Sequence, residues 1–284
     1  MSTFHLFVTT TAAGIAAMLP LVPRGIFGRR FFVLMSLIAV LLIGLATLDR
    51  GLEIGYWHFA CAACLVAYNV LLPREPGVDP VARGAATAPR ATAIARGTAS
   101  FALAGAIASG LAAVVLDGLA LADSAPPAMD SRVAAAPAAC VVAHALTSTF
   151  LLGATLVSMV LGHWYLVSRK LSFTPLRRLT LALSAALGAR IAAIVVAAAV
   201  QWTFWTDLVA AEGLTGFLLS DGVFLLSRAL FGIFVPAVLV PLVWRCVRIE
   251  SNQSATGILY VLVAFVIFGE LLAKHFLVNL RVVI

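Results

Sequence analysis

Charge is what this sequence has least of. Asp, Glu, Lys and Arg make up 11% of its 284 residues, where a soluble domain carries about 25%. Hydrophobic residues make up 63% and the mean hydropathy is +1.08. A chain this poor in charge has no polar surface with which to cover a water-exposed globule, so a soluble enzyme is excluded. Zinc-ribbon spacing, a phosphate-binding Walker loop and the dinucleotide glycine fingerprint are also missing. Only four cysteines are present, Cys61, Cys64, Cys140 and Cys246. The first three fall inside apolar runs and the last at the end of one, which excludes an extracellular disulfide framework. The opening segment MSTFHLFVTTTAAGIAAMLPLVP has no basic stretch ahead of its apolar residues, and is read as a retained helix rather than a cleaved signal.

What is present is a series of long apolar runs. A membrane-spanning helix needs about 20 mostly apolar residues. Eight runs qualify: 4–22, 31–48, 55–73, 99–122, 136–168, 178–203, 222–246 and 256–280. The fifth exceeds one simple crossing and is expected to tilt or protrude. The fold expected is therefore all-α: a polytopic membrane protein of eight transmembrane helices. Residues 1–73 hold helices 1–3, and residues 99–284 hold helices 4–8. Between them, 74–98 is rich in Ala, Arg, Pro and Gly and reads as a flexible basic connector.

The net charge of +7 is not a nucleic-acid signal, because most of the 19 basic residues gather in alternate short loops. Arg24, Arg29 and Arg30 follow the first run, and Arg74, Arg83, Arg90 and Arg96 the third. Arg169, Lys170, Arg177 and Arg178 follow the fifth, and Arg245 and Arg248 the seventh. The intervening loops hold only Arg50 and Arg132 among basic residues. The acids Asp49, Glu53, Asp117, Asp123, Asp130, Asp207, Glu212 and Asp221 are assigned to the same side. The positive-inside rule then places the basic loops in the cytoplasm and both termini in the periplasm of a bacterial inner membrane. Trp57, Trp202 and Trp205 fall at the outer ends, Trp164 and Trp244 at the inner ends, as interfacial anchoring expects.

Ionisable groups inside a bilayer are costly and mark function. At this orientation His5, His58, His144, Arg228, Glu270, Lys274 and His275 gather toward the outer side, and Arg190 lies near mid-membrane. Glu270 and Lys274 stand i, i+4 in the favoured order for a helical ion pair. The chemistry expected is proton transfer through Glu270, with Arg228 or Lys274 polarising a quinone carbonyl. His58, His144 and His275 are candidate cofactor ligands, including axial ligands of a haem b. His163, in MVLGHWYLV, lies 19 residues from His144 on one helix, about 28 Å away by helix rise. It is a candidate for an inner quinone or proton site, and the two cannot share a haem.

In YWHFACAACLVAY, residues 56–68, His58, Cys61 and Cys64 form a stripe on one helix face. Cys64 lies about 9 Å deeper than His58, so one metal ion takes two neighbours of the stripe rather than three. CAAC is not a haem attachment site, since Leu65 stands where that motif needs histidine. Packing is the expected role of these cysteines. Pro236 and Pro241 are expected to kink helix 7.

Two stretches resemble known families. LLSRALFGIFVPAVLVPL followed by FGELLAKHFLV resembles the last two helices of the membrane anchors of dimethyl sulfoxide and polysulfide reductases. Arg228, Gly269, Glu270, Lys274 and Phe276 occupy the matching places, with Lys274 where those anchors usually carry arginine. The resemblance implies two four-helix halves and outward termini. It also implies a haem-free, quinone-reactive subunit passing electrons between membrane quinone (menaquinone or ubiquinone) and an outward-facing iron–sulfur partner. AHALTSTFLLGATLVSM followed by PLRRLTLALSAALGARIAAIVVA is similar to copper-resistance membrane proteins. That similarity implies His5, His58 and His144 as metal ligands in a copper or solute transporter.

Overall fold

The computed structural model describes residues 1–24, 26–50, 55–73, 90–124, 136–167, 172–202, 206, 222–280 and 282–284. Residues 74–89 of the connector, Trp205, and the loop residues Glu53, Asp130, Arg132, Arg169, Lys170, Asp207, Glu212 and Asp221 lie outside them. Among the described residues every regular element is helical. The elements are α1 (Thr3–Met18), α2 (Arg29–Arg50), α3 (Tyr56–Leu71), α4 (Arg90–Asp123), α5 (Ala138–Val167), α6 (Thr174–Val200), α7 (Val223–Arg248) and α8 (Asn252–Leu280). A single 3-10 turn, Leu19–Leu21, extends α1. Seven of these helices are long and apolar enough to cross a membrane, and the chain is read as a multi-pass membrane protein. In lipid every backbone N–H and C=O must be satisfied within its own segment, which is why apolar sequence of this kind takes the helix. The exception in length is α3, whose 16 residues rise about 24 Å.

Several boundaries depart from the sequence reading. α4 begins at Arg90, so residues 90–98 of the expected flexible connector are helical. The stretch ATAIAR there is rich in alanine, the strongest helix former. α6 begins at Thr174 with Pro175 in its first turn, which carries Arg177 and Arg178 into the helix rather than a loop. Asp117, assigned above to an outer loop, lies inside α4, six residues before its end. Length beyond one crossing is shared by α4 and α8 as well as α5.

Small residues place α1 at the centre. Of its apolar window 72% is buried, against 61% for α5 and 22% for α7. α1 contacts α2, α4, α5 and α8, while α5 contacts α1, α4, α6 and α8. The approach of α1 to α5 is set by Gly14 and Gly153: a Cβ on either would overlap the backbone of the other helix. This is the close crossing that small residues allow in membranes. Thr9, Thr10 and Thr11 return their hydroxyls to the carbonyls of His5, Leu6 and Phe7, so the polar run in α1 is satisfied locally. A second glycine crossing joins Gly232 of α7 to Gly269 of α8. Here α7 passes through a π-helical turn, Leu230–Phe234. Pro236 comes two residues after it, and lacks the N–H that a regular helix would return to the Gly232 carbonyl. Pro241 sits within the helical continuation.

The two ends of the bundle differ. At one, Met1, Leu6, Leu121, Val141, Ala197, Leu277 and Val283 form a single apolar cluster, so both termini lie together. At the other, Arg29 donates to the Asn69 and Leu72 carbonyls at the end of α3, at 2.7 and 3.2 Å. Arg24 lies over the Tyr68 ring at the same end. Phe27, Phe31, Trp164, Tyr165 and Phe173 pack edge-to-face and stacked beside these arginines.

Candidate functional site

Four charged side chains of α6, α7 and α8 meet in the interior. Arg190, Arg228, Glu270 and Lys274 are each at most 1% exposed. Arg190 grips Glu270 with two bonds, Nε to Oε1 at 3.0 Å and Nη2 to Oε2 at 3.1 Å. This forked geometry is the strongest carboxylate contact a side chain makes. Lys274 Nζ donates to Oε2 at 3.3 Å and to the Ser148 hydroxyl. Arg228 Nη2 reaches Oε1 at 3.5 Å. On α5, the His144 carbonyl and the Thr147 hydroxyl accept from Arg190 Nη1. The sequence pattern pairs Glu270 with Lys274. Arg190, visible there only as a mid-membrane charge, is the carboxylate's principal partner.

The hydrogen-bond inventory of this cluster is unbalanced. A guanidinium only donates. His144 Nε2, 3.2 Å from Arg190 Nη2, must therefore be the accepting nitrogen, and its proton sits on Nδ1. That Nδ1 is buried and has no partner among the described residues. The same holds for Arg228 Nε and Nη1. Arg228 is held between the two glycines of the α7–α8 crossing: a Cβ on Gly269 would come 3.2 Å from Nη1. Every unpaired group around Glu270 is thus a donor, and three cations face one carboxylate.

A second polar cluster joins α1, α3 and α4 near the terminus-bearing end. His5 Nε2 and His58 Nε2 each lie 3.1 Å from Asp117 Oδ2. The imidazoles are set edge to face with centroids 5.4 Å apart. His58 Nδ1 is 3.2 Å from the Gly55 carbonyl. The sequence reading kept His58 but separated it from Asp117.

The histidines proposed as a ligand set do not converge. His58 turns to Asp117, and His144 to Arg190. His275 is exposed, its ring contacting Asn279 and Phe276 along its own helix. His163, at the arginine-rich end, has Nδ1 2.7 Å from the Tyr260 hydroxyl. Tyr260 lines a cavity of about 560 Å³ together with Tyr165, Phe173, Asn252 and Thr256. Among the described residues His58, His144 and His275 thus each take a different partner. The cysteines of the 56–68 stretch fill notches over α4. A Cβ on Gly105 would come within 3.1 Å of Cys64 Sγ, and one on Gly110 within 3.2 Å of Cys61 Sγ.

No protein-family model, no curated protein and no solved structure matches this chain.

Proposed function

We propose that this chain is a quinone-reactive membrane subunit of a redox complex, with the Glu270 cluster as its reactive site. The observation that carries this reading is the surplus of donors, Arg228 Nε and Nη1 and His144 Nδ1, buried beside Glu270 with no acceptor among the described residues. Quinones are lipid-soluble, present two carbonyl acceptors and gain negative charge on oxygen as they are reduced. Buried cations stabilise such developing charge far better than water does. In this reading Arg228 polarises one carbonyl, and His144 Nδ1–H delivers or takes the proton. Glu270, gripped by Arg190, holds the cations in register. His275 stands outside the mechanism.

The wider arrangement belongs to the same proposal. α1–α4 and α5–α8 each close through neighbouring contacts, which supports two four-helix halves with α3 as an eighth, shorter crossing. The arginines beside Tyr68 and Tyr165 mark the cytoplasmic end of an inner-membrane protein. The end holding both termini then faces the periplasm, and an iron–sulfur or other redox partner docks there.

Equilibrium binding of a fluorescent quinone analogue to the purified chain in lipid nanodiscs tests the site. The wild type and His275→Ala are expected to bind equally. Arg228→Gln and His144→Ala should bind at least tenfold more weakly, with helicity by circular dichroism unchanged. Absence of binding by the wild type, or equal affinity across all four proteins, overturns the proposal.

A further inference from the structure

We propose that His5, His58 and Asp117 form a binding site for one borderline divalent transition cation, such as Zn(II). The site is separate from the Glu270 cluster. Three elements supply one ligand each: the first turn of α1, the start of α3 and the last two turns of α4. Their donor atoms all lie within 4.8 Å of one another.

The convergence of the three donor atoms and the orientation of the rings carry the case. His58 Nδ1 faces the Gly55 carbonyl, which only accepts, so the ring proton of a neutral His58 sits on Nδ1. Its Nε2 then points a lone pair at Asp117 Oδ2, 3.1 Å away. Two lone pairs at that distance repel unless a cation lies between them, and either a second ring proton or a metal ion fills that need. The His5 ring meets the same oxygen at the same separation. With metal–ligand bonds of about 2.0–2.2 Å, neighbouring ligand atoms in tetrahedral to octahedral geometry sit about 2.8–3.6 Å apart. The two nitrogen–oxygen separations, 3.1 Å each, fall inside that interval. A ring nitrogen held by a backbone carbonyl is the usual outer support of a metal-binding histidine, fixing tautomer and ring plane.

The ligand chemistry selects the cation. Two imidazoles and one carboxylate suit zinc and its divalent first-row neighbours, whereas magnesium and calcium take oxygen ligands. Cys61 lies one turn below His58, but its sulfur packs over Gly110, so no thiolate belongs to the set. The imidazoles are buried while the Asp117 side chain is 12% exposed. The remaining coordination position is thus open for water or for a ligand passed on by another protein.

Zn(II) titration of the full chain, purified in detergent with its affinity tag removed and stripped of metal, tests the site. One Zn(II) per chain is expected, with a raised thermal midpoint and no response to Mg(II). His58→Ala should lose binding, and Asp117→Asn should weaken it at least tenfold. Co(II) loaded on the wild type gives a second readout that needs no variant: nitrogen and oxygen ligation without a thiolate charge-transfer band. Failure of the wild type to bind Zn(II) overturns the proposal, as does unchanged affinity in folded variants or a thiolate band with Co(II). None of these results depends on quinone binding at α5–α8.

Discussion

Replacing Glu270 by Gln tests whether the interior is held by one carboxylate serving three cations. Glu270 accepts two bonds from Arg190, one from Lys274 and one from Arg228. Glutamine keeps the volume and removes the charge, leaving Arg190, Arg228 and Lys274 buried with no counter-ion among the described residues. Breaking a buried pair in this way costs about 3–5 kcal/mol. On the membrane-insertion scale a single uncompensated charge at the centre of a helix costs a comparable amount, about 2.5–3.5 kcal/mol. The loss expected for Glu270→Gln is therefore at least about 3 kcal/mol, more than a hundredfold in the folding equilibrium. Lys274→Met acts in the opposite sense: it removes one excess cation, leaves the forked Arg190 contact intact and strands only the Ser148 hydroxyl. About half the loss is expected there, at most. In the double variant the two effects should be sub-additive by more than about 1 kcal/mol, because glutamine no longer has to face Lys274. Unfolding of the purified protein in mixed micelles of rising denaturing-detergent content, followed by circular dichroism, measures all three. A Glu270→Gln protein within about 1 kcal/mol of wild type refutes the reasoning, as does a Lys274→Met protein equally damaged.

Gly14→Ala should cost about 1–3 kcal/mol in the same assay, since its Cβ would overlap the Thr149 carbonyl and Gly153 across the α1–α5 crossing. Gly44→Ala in α2, where the added carbon meets nothing within 4 Å, should stabilise by about 0.5–1 kcal/mol; equal effects at the two sites would refute the close crossing. For orientation, a single cysteine placed at Ser2 should react with a membrane-impermeant maleimide on intact spheroplasts. One placed at Ser251 should react only after the membrane is opened, and the reverse pattern would invert the topology.

Sequence made the helices readable because lipid leaves the backbone no alternative. Runs of about 20 apolar residues locate seven of the eight described helices to within a few residues at most ends. The misjudged starts, Arg90, Thr174 and Asn252, are where the helix runs about one to two and a half turns ahead of the apolar run. Side-chain partnership was harder to read. Glu270 and Lys274 share one helix and one face, so their pairing followed from spacing alone. Arg190 joins them from 80 residues away, and nothing in a linear pattern sets the rotation of α6 against α8. Asp117 shows the same limit. Its place near the end of an apolar run suggests solvent, yet α4 is wound so that this carboxylate turns inward onto two histidines. An isolated acid inside an apolar run was the available signal, and the burial cost of a lone carboxylate was the reason to use it.

The same rotation explains why composition could not show the property on which the functional reading rests. Listing the charges of the cluster gives three cations, Arg190, Arg228 and Lys274, and one acid, Glu270, which could neutralise one another through water or lipid headgroups. Only when Arg190 occupies both oxygens of Glu270 and the accepting nitrogen of His144 does it follow that Arg228 and His144 keep donors with nowhere to send them. An acceptor deficit of this kind belongs to an arrangement rather than to a list of residues. The deficit also distinguishes the two polar clusters. At Glu270 the unfilled need is for a carbonyl or oxyanion. At Asp117, with three acceptor-capable atoms converging, the need is for a cation. One chain therefore carries two sites of opposite electrostatic demand, near its core and near the end that holds its termini.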